Sequence, residues 1–129
     1  MITVSKGIVE ELKQEYPKGT RVELVSMEDR QAPPPGTRGT VIGVDSIGSL
    51  LVHWDNGSSL NVLYLIDTVR KLHPVRTICY KDEQLWEDAK DAKSYFFQAM
   101  CGSDGSERER YTNVYTKLMA GQEVCSDER

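Results

Sequence analysis

The stretch Gly36–Leu60, GTRGTVIGVDSIGSLLVHWDNGSSL, reads as two β-strands, a short turn, and the start of a third strand after a tight hairpin. Thr40–Asp45 carries Val41, Ile42 and Val44, β-branched residues that suit a half-buried pleated surface. Ser49–Trp54 alternates, with Leu50, Val52 and Trp54 on one face and Leu51 and His53 on the other, which is the period of a strand. Gly48 punctuates the two runs. Asp55-Asn56-Gly57 then predicts a type I′ hairpin, because Asn-Gly tolerates the positive φ that such a turn demands at both central positions. Ser59–Tyr64 is expected to return antiparallel to the strand before it.

Working outward toward the N-terminus, Thr20–Met27 predicts the first strand, with Val22 and Leu24 on one face. Ala32-Pro33-Pro34-Pro35 stiffens the loop that follows; a ligand for an SH3-type groove is the other use of such a segment. Ser5–Tyr16 predicts an amphipathic helix capped by Ser5, with Ile8, Leu12 and Tyr16 on its apolar side and Pro17 as its stop. On the other side, Asn61–Asp67 is apolar and ambiguous: Val62, Leu63, Leu65 and Ile66 could end a strand and then form a 3₁₀ turn. Val69–Leu72 predicts a last short strand. Five short strands with one long early loop match a small SH3-like β-barrel.

The remainder has a different character. Lys81–Met100 has helical spacing, with Leu85, Ala89, Ala92, Phe96 and Ala99 in one stripe and Asp82 as its expected N-cap. Ser106-Glu107-Arg108-Glu109 has the pattern of a capping box and predicts a second helix, which Gly121 ends. The expected fold class is therefore α+β: residues 1–75 as an N-terminal helix plus five-stranded barrel, and residues 76–129 as a helical hairpin. The polar tail Gln122–Arg129 is expected to fray. The hairpin's apolar stripe must pack on the barrel, on the first helix or on a partner. Phe96, Phe97, Tyr111 and Tyr115, if left uncovered, would favour dimerisation.

The chain has 129 residues, 28% of them charged, with a net charge of −4. That balance does not favour non-specific nucleic-acid binding. Three cysteines, Cys79, Cys101 and Cys125, are odd in number and widely spaced, so neither a disulfide framework nor a zinc site is expected, and a cytoplasmic setting follows. No apolar run reaches the ~20 residues of a membrane span, and Met1–Lys18 lacks the apolar core of a secretion signal.

The residues announce no catalytic constellation. His53 lies mid-strand and His73 precedes a proline, neither beside a positioned nucleophile. Gly36-Thr37-Arg38-Gly39 lacks the Gly-Lys-Ser/Thr ending of a phosphate loop. No enzyme activity, cofactor or metal is expected. Two binding constellations stand out. One is the barrel rim: Arg38, His53, Asp55, Asn56 and Tyr64. The other is the acidic run Asp82, Glu83, Glu87, Asp88 and Asp91, read as one face of a helix. Such a run is either a solvated surface or an imitation of a phosphate backbone; Lys90 and Lys93 interrupt it.

Residues 19–73, with GTRVELVSMEDRQAPPPGTRGTVIGVD and GSLLVHWDNGSSLNV, resemble an uncharacterised domain family found in Firmicutes, their phages and their conjugative elements. More distantly, G-x-V, D-x-G and V-x-W-D-x-G are similar to SH3-like and KOW-type modules. Residues 102–128 resemble a helical segment of proteins from the same mobile elements. The family has no assigned activity, so the resemblance implies a setting and no catalytic residue. Small accessory proteins of phages often bind and inhibit host defence machinery. The expectation is thus a cytoplasmic, non-enzymatic binding protein whose partner is a host protein, such as an anti-CRISPR inhibitor of a nucleic-acid-guided nuclease. The alternative is a KOW-like nucleic-acid-binding module using Arg38, His53 and the hairpin.

Overall fold

The structure, a computed structural model, describes residues 4–129; the first three residues of the Met1–Lys18 segment lie outside the described residues. The chain is α+β, with three helices and two separate sheets. It divides into two compact units, Met1–Lys71 and Leu72–Arg129.

In the first unit, α1 (Lys6–Glu15) starts where predicted: the Ser5 hydroxyl accepts the Ile8 N–H at 3.3 Å. β1 (Arg21–Ser26), β2 (Arg38–Val44), β3 (Leu50–Trp54) and β4 (Thr68–Lys71) form an antiparallel sheet in the order β3-β2-β1-β4. Alternation places Val22, Leu24, Val41, Leu50, Val52 and Trp54 on one face, where they form the core with Val62. Trp54 and Gly39 are paired across β2 and β3. A Cβ at Gly39 would lie 2.8–2.9 Å from Val52 Cγ1, the His53 carbonyl oxygen and Trp54 Cε3, so the indole packs directly on bare backbone.

The predicted barrel is not closed. The returning strand, Ser59–Tyr64, is reduced to a single bridge between Leu50 and Val62. The reason is local. The Trp54 indole N–H donates to the Leu60 carbonyl at 2.8 Å, and the Leu63 N–H donates to Asp67 Oδ2 at 2.9 Å. The Trp54 side chain thus takes a carbonyl that a continuous ladder with β3 would use, and Asp67 holds Leu63 in the turn that follows. The hairpin also differs from a type I′ turn. Gly57 has φ +92°, but Asn56 is not among the described residues with positive φ; the Gly57 N–H donates to the Trp54 carbonyl and the Trp54 N–H to the Ser58 carbonyl. This is a longer loop whose single left-handed residue is the glycine.

In the second unit, β5 (Val75–Cys79) and β6 (Asp82–Trp86) make an antiparallel hairpin, and β7 (Val124–Ser126) pairs with β5 in parallel. α2 (Ala89–Cys101) and α3 (Gly105–Met119) pack on this sheet around Val75, Ala92, Phe96, Val114, Leu118 and Cys125. Three expectations are corrected. Asp82–Trp86 is a strand, and the helix begins only at Ala89, because Tyr80 and Lys81 (φ +53° and +64°) close a two-residue turn that folds β6 onto β5. α3 starts one residue before the expected Ser106, with Asp104 at the N-cap making no side-chain cap bond. The tail does not fray: Cys125 is fully buried, and Asp127 accepts hydrogen bonds from the Tyr80 N–H and from Arg110 Nη1, each at 2.9 Å.

Two stability predictions follow from these contacts. Gly39→Ala must displace β3 backbone or the Trp54 ring, and is expected to cost about 3 kcal/mol in denaturant unfolding, the upper end for overpacking a core. Burial pushes the Asp127 carboxyl up, but the Tyr80 N–H and the Arg110 guanidinium outweigh it and hold the pKa below 3.8. A depressed carboxylate contributes stability that is complete above the unfolded value and is lost as pH falls through the folded one. Asp127→Asn should therefore cost about 2 kcal/mol at neutral pH, and the deficit relative to the wild type should shrink as pH drops below 3.8.

Candidate functional site

In the first unit, the sheet face opposite the core is polar and ordered in rows. Arg70 on β4, Glu23 on β1 and Arg38 on β2 are directly paired across three strands. Glu23 is buried and accepts from Arg70 Nε at 2.6 Å, with Arg38 Nε 3.8 Å away. The next row is Arg21, Thr40 and His53. Arg21 donates to Thr40 Oγ1 at 3.0 Å and to both Asp55 carboxylate oxygens at 2.8 and 2.6 Å. That hydrogen bond holds the Asp55 carboxyl below its ordinary 3.8. Two acids therefore order three arginines on one face.

Of the rim residues, the sheet brings Arg38, His53 and Asp55 together, since the Asp55 N–H donates to the Arg38 carbonyl at 2.8 Å. Asn56 is spent on the turn, where its Oδ1 accepts the Ser58 N–H at 3.0 Å. Tyr64 is elsewhere: it lines a cavity of about 430 Å³ with Leu12, Tyr16, Leu50, Leu65 and Val69.

The turn that carries Tyr64 follows the bridge at Val62, as the ambiguous reading of that segment allowed; what sequence reasoning missed is its exposure and its backbone angle. Leu63, Leu65 and Ile66 are 41%, 75% and 40% exposed, and Leu65 has φ +62°. Asp67 fixes the turn from two directions. Its carboxylate accepts the Leu63 N–H at 2.9 Å and the Glu28 N–H at 3.1 Å, while its own N–H donates to the Leu63 carbonyl at 3.0 Å. A second cavity of about 430 Å³, lined by Met27, Asp29, Leu60 and Ile66, lies on the other side of Leu63. The available signal was an excess of apolar residues in Val62–Ile66 for so short a connection.

In the second unit, the five acids do not share a helix face. Asp82 and Glu83 are on β6, and Glu83 pairs with Arg76 at 2.8 Å. Glu87 is exposed beyond the strand end. Asp88 is 1% exposed, stands at the N-cap of α2 and accepts the His73 N–H at 2.9 Å. Asp91 lies in the first turn of α2. The apparent stripe from Leu85 to Phe96 spans a strand and a helix, which is why the spacing misled.

Two thiols and one tyrosine hydroxyl are shifted toward their protonated forms. Burial, and then the Asp127 charge, push the Cys79 thiol up; burial does the same for Cys125, so both thiolates are disfavoured. The Tyr111 hydroxyl, donating to Glu107 at 3.0 Å, is pushed up to about 12. Among the described residues, no group of three or more His, Cys, Asp and Glu side chains is arranged to hold a metal ion, and no helix is long and apolar enough to cross a membrane.

No curated protein and no solved structure matches the chain. A family model does match, over residues 5–72, which takes in α1 and every strand of the first sheet. The chain belongs to that family, described as a domain of unknown function, DUF4314.

Proposed function

We propose that this protein is a non-enzymatic binding protein whose first unit docks on another protein through the Leu63–Asp67 turn. The observation that carries this reading is Leu65, a non-glycine residue held at φ +62° with three quarters of its surface in water. A left-handed residue with a Cβ costs about 1 kcal/mol, and an exposed leucine gains nothing from the fold in return. Strained backbone that displays an apolar side chain is a recurrent property of binding loops. Leu63 and Ile66 extend the apolar ridge, and a cavity on each side gives it relief.

The strand connectivity supports an SH3-like module left open at one edge. β1 pairs with both β2 and β4, a long loop joins β1 to β2, and a tight turn precedes β4. The resemblance of residues 19–73 and 102–128 to proteins of phages and conjugative elements supports counter-defence in the host cytoplasm as the setting, with a nucleic-acid-guided nuclease as the target. Mimicry of a phosphate backbone by a single acidic helix has no support from the positions of Asp82, Glu83, Glu87, Asp88 and Asp91. A KOW-like nucleic-acid module is the second reading, favoured by Arg21, Arg38 and Arg70 on one sheet face beside His53.

The two readings separate in a pull-down from host lysate with tagged protein, with and without nuclease. Leu65→Lys should weaken capture of a nuclease-resistant partner by about tenfold or more, the effect of losing an anchor residue. Leu65→Gly should lose capture equally while melting no lower, because glycine relieves the positive φ. Capture that survives both substitutions would overturn the reading. Loss of all partners on nuclease treatment would favour the arginine face.

A further inference from the structure

The cavity between α1 and the Leu63–Asp67 turn has a charge character of its own. α1 contributes Glu15 and Tyr16 to its lining, and the turn contributes Tyr64 and Asp67. Among the described residues, that lining holds these carboxylates and phenol rings and no lysine, arginine or histidine. Neither Glu15 nor Asp67 forms an ion pair with a described residue. Asp67 spends one lone pair of Oδ1 on the Glu28 N–H and one of Oδ2 on the Leu63 N–H, which fixes the carboxylate without neutralising it. Glu15 is exposed at the last position of α1, the end of a helix where a negative charge is unfavourable, so the helix gains nothing from it.

The rest of the lining suits a long basic side chain. Leu12, Leu50, Val62 and Val69 are apolar, and apolar walls take the methylene stem of a lysine or arginine while its head reaches charge. The volume of about 430 Å³ lies within the range of sites that enclose small ligands. The Tyr16 ring is already shown to accept a cation. Lys71 of β4, which is outside the lining, holds its ammonium 5.0 Å from the ring centroid, within the reach of cation–π attraction.

We propose, resting on the docking of the Leu65 ridge set out above, that this cavity receives a basic side chain, lysine or arginine, of the same partner protein. Charge selects the occupant. An acidic side chain would meet Glu15 and Asp67 with no base in the lining to compensate. A neutral apolar one would desolvate both carboxylates unpaired, which is costly. A cation pairs with the carboxylates and has a phenol face to rest on. The partner surface is therefore an apolar contact for Leu63 and Leu65 with a basic side chain projecting beside it.

The test is an amide-resolved NMR titration of the full chain with N-acetyl-lysine methylamide, and with the same compound acetylated on its side-chain nitrogen. The charged compound should shift the amides of Glu15, Tyr16, Tyr64 and Leu65 and saturate in the millimolar range, as a single small fragment does; the neutral one should not. Glu15→Gln leaves α1 without its unfavourable terminal charge, so it should fold as wild type and bind the probe about threefold more weakly. Tyr64→Leu keeps an apolar wall and should weaken the probe by about the same factor. Lys71→Gln should tighten it about twofold, since it removes a like charge near the guest. No saturable shift at the cavity, equal shifts from the neutral compound, or a folded Glu15→Gln variant that binds as wild type would each overturn the proposal. If Leu65→Gly loses its captured partner while the cavity ignores the probe, the cationic guest alone is overturned. If the cavity takes the probe while capture is indifferent to Leu65, the docking falls, and with it the partner as the source of the cation.

Discussion

The first unit depends on one close approach: the Trp54 indole lying on the bare backbone of Gly39. A side chain of that size can enter a core between thin strands only where the facing residue has no Cβ. Once seated, it fixes more than its own position. Its indole N–H takes the Leu60 carbonyl, which ends regular pairing after the hairpin. The chain must then leave the sheet, and it does so in the Leu63–Asp67 turn. The turn is therefore a consequence of how the core is filled. Burial of an aromatic ring at one end of β3 and exposure of a leucine ridge a few residues later belong to the same packing solution.

What could be read in advance was whatever local chemistry decides. Ser5 as a cap, the alternation of Val22 and Leu24, the β-branched run after Gly39 and the Leu50–Trp54 period each specify their element without help from distant residues. What could not be read depends on a side chain meeting backbone far along the chain. Asp127 holds the Tyr80 N–H across 47 residues, and with it the C-terminal strand. Asp88 spends its carboxylate on the His73 N–H, so the position that looks like part of an acidic face is buried. Tyr80 and Lys81 occupy a turn usually given to Asn-Gly; Tyr80 keeps that conformation with its ring over Arg110, centroid to guanidinium 4.8 Å, and its N–H on Asp127. No sequence rule for turns predicts a tyrosine and a lysine there.

The candidate site was legible to the same degree. Arg38, His53 and Asp55 were grouped in advance as residues of a barrel rim; the structure has no closed barrel but puts them on one sheet face with Arg21, Arg70 and the buried Glu23 that order them. Tyr64 and Asn56 left that group because one lines a cavity and the other closes a turn. The leucine ridge was invisible because its distinguishing property is a backbone angle at Leu65, which composition does not encode. Two kinds of surface thus coexist in the first unit: an arginine face whose charges are largely balanced by its own acids, and an apolar ridge balanced by nothing in the fold. Binding free energy comes most readily from the second, since removing exposed leucine and isoleucine from water is favourable without breaking an existing ion pair.

The most direct measurement places a photo-crosslinking amino acid at position 65 in the living host and identifies what it captures. The account predicts one recurring protein adduct, absent when the same group is placed at an exposed site off both the ridge and the arginine face, such as Lys18. Adducts to nucleic acid alone, or an identical set of adducts from both positions, would contradict it.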